Sequence, residues 1–430
     1  MKPDNVLVNS SLCCGCGTCA AICPKDAIKL VINWRKGIYV PLIDNDKCSQ
    51  CGLCLKVCPG KEVNFSAISK AVFPAEPSDY RLGYYRGAYL AYSTDHLIRY
   101  NSSSGGLITS LLLYMLEKGL VDGALVSIVD NTKPLVPQPH IACTAEEIID
   151  ASKSKYCPIP VNAMLKDIIE SSIDKRFVVV GLPCHLHGLR KWEMLDRSLE
   201  ERILLRIGLF CEACPTFLAT DFFIRNHDMD PVDVIRFEYR GRGWPGSVLA
   251  ETSGGRQAEE PYQDVWSIWK HGFLSPRCAL CIDKANEMSD IAVADPWCLV
   301  QDETIGSSLA IVRTQQAEDI LEKMGRDNRL NIQPMMDIDT LIKGQGFFIK
   351  KKMAVAEMKL SGWLGASKPV YITGDEVITR VSLTDISKAL YRRIMTAIIR
   401  QRFLWPLLFV GIPPTALILK CIRKVTSIFC

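Results

Sequence analysis

Strong charge of either sign is missing from this sequence: 51 Lys and Arg stand against 47 Asp and Glu, a net +4 over 430 residues. Nucleic acid is therefore not expected as a partner, because such domains usually show a strongly basic face. No charged-then-apolar stretch opens the chain. MKPDNVLVNS is polar, so no secretory signal is read there, and the thiols are expected to stay reduced in a cytoplasm-like compartment. Neither a Walker P-loop nor an HExxH motif occurs. His185 and His187 have no partner in the sequence that completes a nucleophilic triad, which leaves a hydrolase without support. With 48% hydrophobic and 23% charged residues, wholesale disorder and collagen-like repeats are also excluded. The length suits two or three domains.

Cysteine, by contrast, is abundant. There are 19, and nine of them (13, 14, 16, 19, 23, 48, 51, 54 and 58) precede residue 60. Two runs share one spacing: Cys13, Cys16, Cys19 and Cys23 before Pro24, then Cys48, Cys51, Cys54 and Cys58 before Pro59. Three closely spaced thiolates suit one corner of a cubane, and the fourth, stopped by proline, points toward the other cluster. The expected sets are Cys13, Cys16, Cys19 and Cys58 for one cluster, and Cys48, Cys51, Cys54 and Cys23 for the other. This pattern resembles a bacterial-type ferredoxin with two 4Fe–4S clusters. Zinc knuckles also use C-x2-C, but zinc gives no reason for a third Cys plus Cys-Pro in both copies. Cys14 is extra to the pattern and reads as a spectator thiol.

Residues 66–86 read as a linker, with Pro74 and Pro77 breaking any long helix. Apolar helices then alternate with short apolar strands. SSSGGLITSLLLYMLEKG predicts a Ser-capped, buried helix. GALVSIV, RFVVVGL (176–182), ILLRIGLF (203–210) and DIAVAD (290–295) predict strands of an α/β core with a largely parallel or mixed sheet. Ligands gather beyond the carboxyl ends of such strands. Those ends run into Pro183-Cys184-His185, Cys211 and Asp295-Pro296-Trp297, and Cys278 and Cys281 sit just before the last strand. Cys184, Cys211, Cys278 and Cys281 are thus candidates for a third cluster, with Cys214 competing with Cys211; the bland alternative is ordinary buried thiols. SSSGGL is the best phosphate-cradle candidate, although such a string is more often a plain helix cap. Gly241, Gly243 and Gly246 spell G-x-G-x-x-G, but their surroundings read as strand–turn–strand rather than a dinucleotide fingerprint.

SSSGGLITSLLLYMLEKGLVDGALV, ASKSKY, VVVGLPCHLHGLRKW, LFCEACP, EYRGRGWPG and CALCIDKANEMSDIAVADPW follow one another in that order. Together they resemble the coenzyme F420 hydrogenase/dehydrogenase beta-subunit family, from about residue 84 to about residue 350. The resemblance implies an FAD-containing α/β domain that exchanges a hydride with a deazaflavin, coenzyme F420, and passes electrons to iron–sulfur clusters. It places Ser104, Gly105 and Gly106 against FAD, and Lys155 near its phosphates or ring. The turn at Gly181, Pro183 and Cys184 would lie by the flavin or a cluster, and Asp295 and Trp297 form the closing acid–aromatic motif. The chain departs from the family pattern at Leu182, His185, Glu212 and Ala294, which bears on deazaflavin specificity more than on the flavin. A flavin suits the junction, since it takes two electrons as hydride and gives them up singly.

From residue 386 onward there are eight Lys and Arg and no Asp or Glu. ISKALYRRIMTAIIRQR reads as a basic amphipathic helix. The uncharged stretch 403–419 that follows would span about 26 Å as a helix, short of a ~30 Å hydrocarbon core. An in-plane membrane anchor is expected, with packing on the body or on a neighbouring protein as the alternative. If the anchor holds, a membrane quinone or membrane-bound partner becomes an acceptor.

The whole therefore reads as an α+β and α/β chain. A two-cluster ferredoxin domain spans 1–65 and the linker 66–86. A mixed-sheet flavin-binding domain spans 87–375, with parts at about 87–165 and 170–350, and a basic, apolar helical tail spans 385–430. The expected activity is an iron–sulfur flavoprotein oxidoreductase, working with a redox partner protein or ferredoxin from the cytoplasm, peripherally on the cytoplasmic face of the membrane if the tail anchors it. The alternatives are a non-catalytic electron-transfer subunit and a reductase of a biosynthetic intermediate.

Overall fold

A computed structural model describes residues 11–297, 299, 304–335, 337–374 and 380–405. The apolar part of the tail from Pro406 onward lies outside the described residues.

The N-terminal cysteine runs flank an antiparallel hairpin, β1 (Ile28–Asn33) and β2 (Ile38–Ile43), with Ile28 opposite Ile43. Each run turns into a single helical turn, Thr18–Ala21 or Leu53–Lys56, through a left-handed glycine, Gly17 at φ 94° and Gly52 at φ 75°. A side chain at either position would be strained. The short strand β3 (Glu62–Asn64) leads into a helix, Phe65–Val72, whose first turn is capped by Asn64 accepting from the Ala67 amide at 2.9 Å. The stretch expected as a linker therefore carries an ordered helix that ends just before Pro74. It is also packed down: Phe65 and Ile68 join a cluster with Ile282, Met288 and Ala354, and Leu82 is fully buried.

The large domain is built on strands β4 (Gly87–Ser93), β5 (Gly123–Ile128), β6 (Gln138–Ala142), β7 (Phe177–Gly181) and β8 (Ile203–Leu209). A separate antiparallel sheet holds β9 (Val234–Glu238), β10 (Ser247–Thr252) and β11 (Gln257–Pro261), followed in the chain by β12 (Ile291–Ala294), β13 (Ser308–Val312) and β14 (Leu330–Pro334). The eight-stranded sheet runs β14-β4-β13-β12-β8-β7-β5-β6. Its centre, β12-β8-β7-β5, is parallel and its margins are antiparallel, so the sheet is mixed as expected. The parallel strands are buried on both faces, which is why they read as unbroken apolar runs. Gly241–Gly246 lies between β9 and β10, which pair antiparallel, in agreement with a strand–turn–strand reading.

The helix Leu107–Glu117 forms where expected, but its cap differs. Gly106 in the left-handed conformation (φ 75°) holds the N-cap position without a side-chain bond, and no serine caps it. Near the C-terminus the helix Phe347–Trp363 is followed by β15 (Val370–Ile372), which pairs in parallel with β3. The basic helix of the tail, Leu383–Ile399, packs on Phe347–Trp363 through Ala389 against Ala356 and Leu360. Lys352–Asp385 at 2.9 Å and an Arg393–Glu357 ion pair reinforce that contact. Among the described residues no helix is long and apolar enough to cross a membrane.

Candidate functional site

The parallel strands β7, β8 and β12 deliver their carboxyl ends to one edge, and a cavity of ≈ 520 Å³ opens there. Val180, Leu209 and Ala294 line it from the three strand ends. Of the residues singled out in the sequence, Ser104, Gly106, Lys155, Gly181, Asp295 and Trp297 line this cavity. Pro183 instead lines a smaller neighbouring cavity. Gly105 lines neither. Its amide donates to Ser308 Oγ at 2.9 Å, and a Cβ there would lie 2.6 Å from the Ser308 amide nitrogen, so its smallness serves helix-to-sheet packing. Ser104 is likewise turned to the sheet, its hydroxyl bonding the Ser307 carbonyl at 2.5 Å.

Lys155 is buried. Its ammonium donates to the carbonyls of Ala151 (2.5 Å) and Ser152 (2.6 Å), and burial pulls its pKa down to about 7. Lys153, on the same wall, pairs with Glu238 at 3.2 Å. Asp295 is held from three sides: Arg240 grips both oxygens at 2.6 and 3.0 Å, Trp244 Nε1 donates at 2.9 Å, and Gln345 donates to its carbonyl at 2.8 Å. Trp244 packs on Trp297 with centroids 5.0 Å apart. Tyr156, Tyr262 and Trp266 add an aromatic wall, with Arg240 over the Tyr262 ring. Arg240, Tyr156 and Tyr262 had no role in the sequence reading. Arg240 sat in the quoted EYRGRGWPG string, but nothing local paired it with an aspartate 55 residues on.

The smaller cavity is lined by six cysteines: Cys14, Cys184, Cys211, Cys214, Cys278 and Cys281. The four expected together are together, joined by Cys214 and Cys14. Cys14 shares a thiol hydrogen bond with Cys184 that lowers the pKa of Cys14 and raises that of Cys184. Cys14 thus lines the same cavity as the third candidate set. The Cys214 amide donates to Cys278 Sγ at 3.3 Å. The two cavities share a wall made of Ile159, Leu182, His185, Cys211, Glu212, Ala213 and Cys214. His185 is buried, accepts the Leu182 amide on Nδ1 at 3.1 Å, and is pushed down to about 4 by burial, so it stays neutral. His187 pairs with buried Asp283 at 2.8 Å.

On the far side of the thiol cavity lies the N-terminal module. Cys19 is raised first by burial, then by the neighbouring thiols Cys16, Cys13, Cys58 and, from the second run, Cys54, so thiols of both runs lie near it. Cys54 is raised by burial and by Cys51, Cys23 and Cys48, which form a second, outer group with Cys51 exposed. Among the described residues no three His, Cys, Asp or Glu side chains close tightly enough around one point to hold a single metal ion.

Thiol-lined strand ends joined to a ferredoxin-like module define an iron–sulfur redox protein. The chain matches both family models of the "Coenzyme F420 hydrogenase/dehydrogenase, beta subunit": the N-terminal one over residues 88–166 and the C-terminal one over residues 174–338. It matches "4Fe-4S dicluster domain" over residues 12–61. It belongs to the coenzyme F420 hydrogenase/dehydrogenase beta-subunit family, a family of oxidoreductases. Among its relatives is the coenzyme F420 hydrogenase subunit beta of Methanosarcina barkeri, 26% identical over 267 residues, which are 60% of this chain and 84% of that protein. The coenzyme F420-dependent sulfite reductase of Methanocaldococcus jannaschii is 26% identical over 343 residues, 76% of this chain and 48% of that one. A solved chain of the F420-reducing NiFe hydrogenase complex from Methanosarcina barkeri shares the fold, with TM-score 0.52 and 23% identity over 67% of this chain and 97% of that chain.

Proposed function

We propose that this protein passes electrons between a deazaflavin hydride carrier of the coenzyme F420 type and iron–sulfur clusters, with FAD in the ≈ 520 Å³ cavity. The observation that supports this reading is the wall shared by that cavity and the six-thiol cavity, across which an organic cofactor and a cluster would lie side by side. The larger cavity fits a flavin in character. It has an aromatic wall, a helix N-terminus at Gly106, and two lysines suited to phosphates. FAD would supply the conversion of a hydride into single electrons. Lys153 and Lys155 would bind its phosphates, Trp297 and the tyrosines would exclude water, and the Arg240–Asp295 pair would hold Trp244 and Trp297 in place.

The cysteine sets take the clusters in the same reading. Cys13, Cys16, Cys19 and Cys58 hold an inner ferredoxin cluster; Cys23, Cys48, Cys51 and Cys54 hold the outer one. Cys184, Cys211, Cys278 and Cys281 hold a third between ferredoxin and flavin. Two buried cations face that third set: Arg277 and Lys350 pair with no carboxylate within 4.0 Å among the described residues, so an anionic cluster suits them. Exposed Cys51 makes the outer group the contact for a redox partner protein.

The test is anaerobic. The full chain, reconstituted with iron, sulfide and FAD, is given reduced coenzyme F420 and a one-electron acceptor dye. Turnover is expected. Bound flavin and iron with no oxidation of reduced F420 would sink the deazaflavin assignment and favour a reductase of another organic substrate. The tail adds a membrane reading: Leu383, Leu390, Tyr391 and Ile394 are exposed on its basic helix. Flotation with anionic but not neutral vesicles is the expected result, and no flotation with either would leave the helix as body packing.

A further inference from the structure

The hairpin β1–β2 carries Lys29, Arg35 and Lys36 and no acidic residue. Its closed end rests on the helix Phe217–Asn226 of the large domain. The Gly37 carbonyl accepts the Phe217 amide at 2.8 Å, and a Cβ on Gly37 would fall 2.9 Å from the Leu218 amide nitrogen. Trp34 lies against the Phe217 ring with centroids 5.6 Å apart, yet it stays 53% exposed. Arg35 beside it is exposed as well.

The same helix receives the end of the described tail. Arg402 pairs with Asp221 at 3.0 Å. Trp405 is buried against Phe222 and Phe273, and its Nε1 donates to the Ile399 carbonyl at 2.7 Å. Phe217 and Asp221 are four residues apart on a helix, hence on one face and separated by about 6 Å along the axis. Trp34 and Arg402 are therefore brought close by two adjacent seats, although they lie near opposite ends of the chain. Asp221 also accepts Arg225 on its other oxygen at 2.7 Å, so one carboxylate answers two guanidinium groups. Phe403 next to them is 73% exposed. At this point the sequence runs on into its uncharged stretch, which reaches residue 419, and no Asp or Glu follows.

We propose that Trp34 and Arg35, together with Arg402 and Phe403, form one face that rests on an anionic lipid surface, so that the ferredoxin hairpin and the tail touch the same membrane. The inference rests on the membrane reading of the tail above and adds a second contact from the other end of the chain. Its chemistry suits a bilayer surface. Indole rings settle at the headgroup level, and guanidinium groups are drawn to anionic lipid. The apolar stretch leaves the fold at this same spot, which a soluble protein partner gives no reason for. Ile28 and Ile43, at the open end of the hairpin, pack with Cys23, Cys48 and Cys54. The outer thiol set would then stand one six-residue strand, ~20 Å, from the lipid, and its redox partner would be met at the membrane surface.

The experiment uses the full, cluster-loaded chain and vesicles of phosphatidylcholine, alone or mixed with phosphatidylglycerol. Flotation with the mixed vesicles only is expected, and Arg35→Gln should weaken that binding about fivefold. Trp34→Phe keeps a ring on Phe217 and serves as the fluorescence variant. Brominated lipid in the mixed vesicles should quench wild-type tryptophan emission by an increment that Trp34→Phe lacks. Iron content equal to the wild type shows that each variant still folds around its cysteines. If the wild type floats but Arg35→Gln floats equally well, or Trp34→Phe loses no quenching, the second contact is overturned while the tail reading stands. A wild type that does not float overturns both. Self-association without vesicles that Trp34→Phe abolishes would assign the face to a second copy of the chain and overturn the lipid surface.

Discussion

Lys155 shows what one buried group costs and what it offers. Its pKa falls from 10.5 to about 7 because burial disfavours the ammonium. Across that interval the folded chain binds fewer protons than the unfolded chain, so stability rises with pH between about 7 and about 10.5. Below the folded value both states are charged, and the full penalty of burying the charge remains. Lys155→Met is expected to remove this slope, read as denaturant midpoints across the same range. A phosphate-bearing ligand would restore the charge, so its binding to the wild type should take up protons above pH 7, visible as buffer-dependent calorimetric heat. A slope unchanged in Lys155→Met would assign the burial effect to another group.

At the scale of elements, the seam between ferredoxin module and α/β domain is tight because small and polar residues let backbones meet. A Cβ on Gly17 would fall 2.5 Å from the Ala163 amide nitrogen, and one on Gly188, in the helix Pro183–Glu193, 2.3 Å from Thr18 Oγ1. Asn162 ties the seam, its amide nitrogen donating to the Cys16 carbonyl (2.9 Å) and its side chain to Thr18 Oγ1 (2.8 Å) and the His185 carbonyl (2.7 Å). Gly188→Val should cost about 1–3 kcal/mol of stability through overpacking. If the proposed flavin is bound, it should also slow electron passage into the ferredoxin clusters while flavin reduction proceeds unchanged, which stopped-flow absorbance resolves. Equal rates in both proteins would place the route elsewhere.

The same elements show what the sequence made legible. The strand ends at Cys184, Cys211 and Asp295, which the structure brings to the cavities, could be read because parallel, doubly buried strands leave continuous apolar runs ending there. The ferredoxin repeats could be read because all their ligand spacing is local. Other features depended on contacts far along the chain. Cys14 meets Cys184, Arg277 crosses to the carbonyl of Pro59, and the Phe65–Val72 helix buries itself against residues beyond 280. No spacing rule reaches that far. Gly105 shows how one residue can carry two readings: a glycine before a helix suits an anion cradle and a tight helix–sheet contact, and a Cβ here would meet the Ser308 amide.

For the whole molecule, two compartments matter: a large cavity with aromatic and basic walls for a two-electron cofactor, and thiol groups leading from its wall to the exposed Cys51. On the proposed reading their adjacency would make the chain a converter between hydride and single electrons, a reading its membership of an oxidoreductase family with a 4Fe-4S dicluster domain supports. The most direct measurement is a single turnover without any external acceptor. The fully loaded chain is mixed anaerobically with one equivalent of reduced coenzyme F420, frozen, and its reduced-cluster spins are counted. The account predicts about two cluster spins for each hydride lost from F420. Oxidation of F420 that leaves the clusters silent would contradict it.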